Sequence, residues 1–371
     1  MPLNPDDSIY LSRLLELSEG YPRRNASPNP AVSAIITNQD EIVGEGVHQG
    51  PGTPHAEVLA IQQAGPLAMG GTLYVSLEPC SHWGRTPPCI HAICDAQLAR
   101  VVIGVSDPNP LVKATPPIPY LTSRGIDVVI GNRETDFRWV HRSFLKGILH
   151  QTPFVTAKVA TSLDGKLAFR DPQRPYLTGP QSLEWVHHRR AYCDAIMVGI
   201  GTVLADDPLL TCRQAGAKNP IKLIVDSKGR LPLSARLFDQ TTPEDVWVIL
   251  SNDAQGESVE ALSKVAQFIR FTPPFNWQQV LGDLAKRGIH DLIIEGGPTL
   301  LTSAFSQGAI DAIDLMVAPT LLGGANRPTF LEGEELPLGG IDSQIRSVIQ
   351  RGGDVHITSV IHPFFKKEAS I

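Results

Sequence analysis

Three residues of this chain have the types and order of a zinc site, and a fourth could move protons beside them. His55-Ala56-Glu57 is followed by Pro79-Cys80 and, after eight intervening residues, by Cys89. Zinc takes neutral imidazole and thiolate in tetrahedral sites, and a catalytic zinc keeps one position open for water, so three protein ligands suffice. His55, Cys80 and Cys89 supply them. Glu57 is then the spare carboxylate, placed to carry protons to and from the water that zinc acidifies to a pKa of about 7. His82, two residues after Cys80, is a rival ligand. Cys94 lies four residues from both Ile90 and Leu98 on one helix face, which reads as core packing; Cys193 and Cys212 also read as packing residues.

The elements around these residues must bring them to one place. In mid-helix, residues two apart point about 200° from each other. His55 and Glu57 therefore share a site only if His55 opens a helix, and the preceding Thr53-Pro54 suits a helix start. Cys80 follows a predicted strand over 72–77, and Cys89 opens a predicted helix over 89–98, where the helix N-terminus favours thiolate. Around them we read a helix over 7–18, strands over 31–37 and 42–46, a helix over 55–64 and strands over 100–105 and 127–130. Such alternation predicts a sheet with helices on both faces. The order His-x-Glu then Pro-Cys is that of zinc-dependent deaminases, although the cysteine spacing here is longer than C-x-x-C.

Residues 107–120 hold five prolines and cannot form one regular helix. Residues 134–150 carry apolar residues near a 3.6 period and read as a single connecting helix. A second alternation starts at Phe154. Strands are expected over 154–160, 195–199, 221–226, 246–250, 292–295, 313–318 and 355–361, and helices over 180–192, 277–287 and 298–307. Domain boundaries of 1–150 and 151–371 follow. In the second domain, Gly296-Gly297 ends a strand before Pro298 opens a helix, where bare backbone N–H groups can hold a phosphate.

Composition narrows the function. With 371 residues the chain is long enough for more than one core. It is 42% hydrophobic and 19% charged, ordinary for a folded soluble protein, and carries 32 Lys and Arg against 38 Asp and Glu, a net charge of −6. That balance disfavours nucleic acid as a partner. There is no apolar run of membrane-spanning length and no signal-peptide pattern at the N-terminus. Five cysteines fit a reducing compartment, so a cytoplasmic location is expected.

Longer motifs carry a family resemblance over roughly residues 10–325. Ser27-Pro28-Asn29-Pro30, His55-Ala56-Glu57, the run from Leu77 to Cys89 (LEPCSHWGRTPPC) and Asp107-Pro108-Asn109-Pro110 resemble the bifunctional riboflavin biosynthesis deaminase–reductases. So do Ser162-Leu163-Asp164-Gly165, the run from Gly199 to Pro208 (GIGTVLADDP), the run from Glu295 to Thr299 (EGGPT) and Ala318-Pro319. The resemblance implies a cytidine-deaminase-like three-layer α/β/α domain followed by a dihydrofolate-reductase-like α/β domain. It implies zinc-dependent removal of the 2-amino group of a diaminopyrimidine bearing a phosphoribosylamino group, then NADPH-dependent reduction of ribosyl to ribityl. The partner implied is a small pyrimidine ribotide; homo-oligomerisation is left open.

The same resemblance implies NADPH contacts at Ala160, Tyr176, Thr202, Asp206, Ser227, Gly297, Pro298 and Thr299. It implies substrate contacts at Asn29, Arg85, Arg174, Arg190, Leu210, Arg213 and Glu295, with Arg190 and Arg213 on the phosphate. On the residues alone, Asn29 suits a pyrimidine edge or a proline-flanked turn, and each arginine suits a phosphate or a solvated surface. Three segments depart from the family pattern. Arg174-Pro175-Tyr176-Leu177-Thr178 stands where Ser-x-Trp-Ile-Thr is usual, Ser33 stands for a glycine, and residues 113–119 (KATPPIP) replace a glycine-containing stretch. Two other readings stay open: a reductase with a non-catalytic zinc domain, and a zinc deaminase acting on a nucleoside or base.

Overall fold

The computed structural model describes residue 4 and residues 6–167, 176–333, 336 and 340–361. The chain divides into two compact units, Met1–Gln151 and Thr152–Ile371. Among the described residues no helix is long and apolar enough to cross a membrane.

In the first unit, α1 (Asp7–Gly20) and one turn of helix, α2 (Arg23–Ala26), lead to the hairpin β1 (Ser33–Asn38) and β2 (Glu41–Val47). Then come α3 (Ala56–Ala64), β3 (Thr72–Val75), α4 (Cys89–Asp95), β4 (Arg100–Ile103), α5 (Pro110–Ala114), α6 (Pro117–Thr122), β5 (Asp127–Ile130), α7 (Glu134–Val140) and α8 (Arg142–His150). The strand order is β2-β1-β3-β4-β5, with β1 antiparallel to its neighbours and β3, β4 and β5 parallel. One face of the sheet packs Ala34, Ile36 and Leu73 against Ala60 of α3 and Ile93 of α4. The other packs Ile35, Tyr74 and Val102 against Leu11 of α1 and Phe137 of α7.

Two glycines decide how closely α3 lies on the sheet. A Cβ at Gly44 would stand 2.2 Å from the Ala60 carbonyl oxygen, and one at Gly46 would stand 2.4 Å from that of Ala56. Both lie on β2, and the facing helix positions are the small residues Ala56, Ala60 and Ala64, one turn apart. Helix backbone therefore rests on strand backbone, and the N-terminus of α3 is fixed at the sheet edge.

Two expectations are corrected. The connector over 134–150 is two helices, broken at buried His141 (φ −95°, ψ 13°), whose Nε2 lies 3.0 Å from Ser76 Oγ. A hydrogen bond to a residue so distant in sequence leaves no mark in apolar periodicity. The proline-rich stretch is not wholly irregular: α5 and α6 each place a proline in the first turn, where its missing N–H costs nothing, and Asn109 Oδ1 caps α5 by accepting from Leu111 N at 3.0 Å.

In the second unit the order is β6 (Phe154–Ser162), α9 (Pro180–Tyr192), β7 (Ala195–Gly199), α10 (Ile200–Asp206), β8 (Ile221–Val225), β9 (Val246–Ser251), α11 (Glu257–Leu262), β10 (Gln267–Phe271), α12 (Trp277–Lys286), β11 (Asp291–Ile294), α13 (Pro298–Ser306), β12 (Ala312–Ala318), β13 (Gln344–Arg351) and β14 (Asp354–Val360). These strands make one nine-stranded sheet, ordered β10-β9-β8-β7-β11-β6-β12-β14-β13. It is parallel from β10 to β12, and β14 and β13 add an antiparallel ribbon. Strands β10 and β13 and helices α10 and α11 were not expected. Strand β13 is an edge strand with most side chains exposed, so it lacks an apolar pattern.

The two faces of this sheet differ. Val155, Ala157 and Val159 of β6 join an apolar core with α12 and α13. The alternate residues Thr156 and Lys158 face the other way. On that side Arg189 of α9 donates to Asp291 Oδ1 at 2.7 Å, and Ser182 of α9 donates to Asp354 Oδ2 at 2.6 Å. Chain order reverses around β11, which returns between β7 and β6, and the crevice at their C-terminal ends is where open parallel sheets place ligands.

The Gly46 contact generates a test. Gly46→Ala must push α3 off β2 or bend the hairpin, an overpacking cost of about 1–3 kcal/mol. We expect deamination to fall about tenfold while reduction is unchanged, read by assaying the two half-reactions separately on the full chain.

Candidate active sites

His55 is the N-cap of α3, in extended backbone (φ −72°, ψ 162°), and this departure from helix geometry lets it face the same space as Glu57 in the first turn. Cys89 is the first residue of α4 and fully buried. Cys80 lies in the segment after β3, held to α4 by Ile90 N donating to its carbonyl at 3.3 Å and Cys89 N donating to its Sγ at 3.3 Å. His55 Nδ1 is 3.1 Å from Cys89 Sγ and 3.5 Å from Cys80 Sγ. The three ligand atoms lie within 4.8 Å of one another, a separation a tetrahedral ion can bridge. One imidazole, two thiolates and an adjacent uncoordinated carboxylate are the donor set of a catalytic zinc, so the residues fit that metal.

The electrostatics agree. A hydrogen bond with Cys89 and one with His55 pull the Cys80 thiol down to about 4, against the opposing effect of burial. The Cys89 thiol is held up by the same Cys80 contact; a bound cation deprotonates both outright. Glu57 is 3% exposed, and burial pushes its carboxyl above the ordinary range, with the Cys80 charge adding to the effect and His55 opposing it. Raising a buried carboxyl in this way favours its use as a proton carrier.

His55, Glu57 and Cys80 line a cavity of about 410 Å³, which also has Asn29 and the exposed Arg85 on its wall. The structure adds residues that were not singled out from the sequence. His48 bridges Asn29 Nδ2, at 3.1 Å from its Nε2, and the Pro54 carbonyl, at 3.2 Å from its Nδ1, so it orients Asn29. Thr86 Oγ1 is 3.1 Å from His55 Nε2. Asp107, also on the wall, is raised by burial to about 6. His82 lines the cavity but is absent from the ligand cluster.

In the second unit, Arg190 and Glu295 meet in a bidentate fork: Arg190 Nε donates to Oε1 at 2.9 Å and Nη2 to Oε2 at 2.8 Å. Arg190 Nη1 donates to the Thr211 carbonyl at 2.9 Å, so all three guanidinium nitrogens are engaged. Burial raises the Glu295 carboxyl, but the Arg190 and then Lys158 charges outweigh it and hold its pKa at about 2. Lys158, whose Nζ is 3.8 Å from Glu295 Oε2, was not singled out; a single charged residue inside the apolar run of β6 was the available signal. Arg213 is exposed and acts electrostatically, with Arg190, on His187. Leu210 is buried with φ +51°, a sparsely populated conformation that marks this loop as constrained.

Gly297 is the N-cap of α13, with Pro298 and Thr299 in its first turn. Thr202 of α10 approaches it: a Cβ at Gly297 would stand 3.5 Å from Thr202 Oγ1. Ala160 lies in the C-terminal half of β6. These placements, around the ends of β6, β7 and β11, fit a dinucleotide phosphate on backbone N–H groups. Asp206 at the end of α10, Ser227 after β8 and Tyr176 are exposed. Arg174 lies outside the described residues.

Comparison with known proteins decides between chemistries that share such geometry. Residues 153–357 match the family model described as the RibD C-terminal domain, and residues 8–105 match the cytidine and deoxycytidylate deaminase zinc-binding region. The riboflavin biosynthesis protein RibD of Aquifex aeolicus is 37% identical over 85% of this chain and 88% of its own. The chain belongs to the RibD family. A crystal form of Acinetobacter baumannii RibD has 35% identity and a TM-score of 0.82, covering 96% of this chain and 99% of that one. A Thermotoga maritima structure described as a diaminohydroxyphosphoribosylaminopyrimidine deaminase and 5-amino-6-(5-phosphoribosylamino)uracil reductase has 28% identity and a TM-score of 0.81, covering 95% and 98%. As a RibD family member the chain is a bifunctional deaminase and reductase of riboflavin biosynthesis, with zinc in the deaminase domain and NADPH in the reductase domain.

We expect purified protein to carry about one zinc per chain by metal analysis. Chelation should abolish deamination and leave NADPH-dependent reduction in place. Full deamination by zinc-free protein would contradict the ligand set.

Proposed function

We propose that His55, Cys80 and Cys89 hold the zinc and that Glu57 is the proton carrier for deamination of a 2,5-diaminopyrimidine ribotide. The observation that supports this most is the burial of Glu57 against the ligand cluster on the wall of a cavity sized for a small molecule. When bound, zinc acidifies a water to a pKa of about 7, making hydroxide available at neutral pH. Glu57 takes the water's proton and delivers it to the ring nitrogen as the oxygen adds to C2; it then takes the remaining proton from that oxygen and gives it to the amine, so that the C2–N bond breaks, ammonia leaves and the carbonyl forms. Asn29, oriented by His48, presents a donor and an acceptor to the pyrimidine edge. A zinc unit kept only as a folded module would need no carboxylate there, which counts against that alternative. We place this unit at 1–150 and the reductase at 151–371.

For reduction, NADPH supplies the hydride. The ribosyl C1′ accepts it, the bond from C1′ to the ring oxygen breaks, and that oxygen takes a proton. We assign the ribosyl-facing cluster to Lys158, Glu295 and Arg190. Ala160, Thr202, Gly297, Pro298 and Thr299 would hold the cofactor, with further contacts from the exposed Tyr176, Asp206 and Ser227; Leu210 shapes the substrate loop. Arg190 can meet the phosphate only by giving up Glu295, so we assign the first phosphate contact to Arg213, as Arg85 does for the other unit.

Glu57→Gln keeps the shape and loses the base. We expect deamination to fall by a factor on the order of 10²–10⁴, with zinc content and reduction unchanged. Near-full turnover would remove Glu57 from the role. For the phosphate, Arg213→Ala should raise the reductase KM about tenfold for the ribotide and hardly at all for its dephosphorylated analogue. An equal rise for both would show that Arg213 acts elsewhere.

A further inference from the structure

Beneath α9 the sheet carries a line of buried polar groups that neither reaction, as described, uses. Arg351 Nε on β13 donates to His356 Nδ1 on β14 at 3.1 Å. With Nδ1 accepting, the ring proton of a neutral His356 sits on Nε2, which faces Asp314 Oδ1 on β12 at 3.1 Å. Thr358 Oγ1 donates to the same Asp314 oxygen at 2.9 Å. His356 is 2% and Asp314 5% exposed, and the Trp185 ring of α9 covers the imidazole at 4.2 Å between centroids. Asp314 is the register partner of Lys158 across the parallel pair β6 and β12, so the two side chains leave the same face of neighbouring strands.

Lys158 needs such a neighbour. Both Glu295 oxygens are committed to Arg190, and the 3.8 Å from Lys158 Nζ to Glu295 is beyond a hydrogen bond. Burial, the largest effect, pulls the Lys158 ammonium below the ordinary lysine value; Glu295 opposes it, Arg190 adds to it and Asp314 opposes it. Arg189 and Arg351 also feel Asp314, but Arg189 is committed to Asp291 and Arg351 to His356. Burying a carboxylate here is costly unless the charge is used or fully paired, and two apolar residues would join β12 to β14 more cheaply.

We propose that Asp314, oriented by His356 and Thr358, is a positioning residue for the reduction: it fixes the amine of Lys158, at the middle of β6, toward the ribosyl group. The inference rests on the assignment of Lys158 to the ribosyl-facing cluster.

The test uses the full chain, the deaminated ribotide and NADPH. In Asp314→Asn the acceptor survives and the charge is lost. We expect the reductase kcat to fall about tenfold or more, with KM for ribotide and for NADPH changed less than about threefold and deamination unchanged. Asp314→Glu should recover part of the loss. In a Lys158→Met background, Asp314→Asn should cost less than about twofold, because both changes act through one amine. Losses that multiply in the double variant, or an Asp314→Asn enzyme with normal kcat while Lys158→Met is slow, overturn the proposal alone. Normal reduction by Lys158→Met overturns the cluster assignment and the proposal with it. Should Asp314→Asn fail to fold, Thr358→Val takes its place: a fall in kcat of about threefold that vanishes in Lys158→Met is expected, and no fall counts against the proposal.

Discussion

The deaminase site depends on one contact: the backbone of α3 against the backbone of β2. Hydrophobic packing alone would leave a helix about 10 Å from a sheet, free to settle according to whichever side chains intervene. Here Gly44 and Gly46 remove the strand side chains, and Ala56, Ala60 and Ala64 shorten those of the helix. The helix start is then set by main-chain sterics. His55, as N-cap, and Glu57, in the first turn, inherit that position, and α4 presents Cys89 at its own start while gripping the Cys80 segment by two hydrogen bonds. The metal ligands come from three elements, but each is tied to a helix N-terminus, where partial positive charge suits thiolate and carboxylate alike.

The reductase site is built on another principle. Where α9 crosses β6, β12 and β14, the interface is hydrogen-bonded and charged, and its specificity comes from pairing rather than shape. Arg189 serves Asp291 and Arg190, about 100° further round the helix, serves Glu295, so adjacent arginines divide into a structural and a site-facing one. Glu295 is the hinge of this arrangement. Its one negative charge is forked to Arg190 and lies 3.8 Å from Lys158, so the cluster keeps a net positive charge, while Arg213 stands exposed in the loop after α10.

What could be read in the sequence follows from how local each signal is. Parallel strands such as 195–199 and 246–251 are near-continuous apolar runs, and helices of this unit have plain starts at Pro180 and Pro298, so the alternation of the second unit was legible. The zinc set was legible because its chemistry needs rare residue types at helix starts. The break at His141, by contrast, depends on Ser76, and the polar seam beneath α9 joins residues from four strands and a helix. Lys158 and Asp314 become neighbours only once β6 and β12 pair, so no spacing announces them. Strand β13 escaped because an edge has no second neighbour to impose an apolar face.

The glycine-to-alanine seat of α3 also bears on how this enzyme can diverge. A helix resting on bare backbone cannot slip by one residue, since Glu57 or Ile61 would then be driven into β2. Nor can it tilt to widen the cavity without losing contact along its whole length. New substrates must be accommodated from the opposite wall, where Arg85 and Asp107 lie on connecting segments rather than inside helices or strands. The chemistry is inherited as a fixed block, and recognition is left to the loops that can be rewritten.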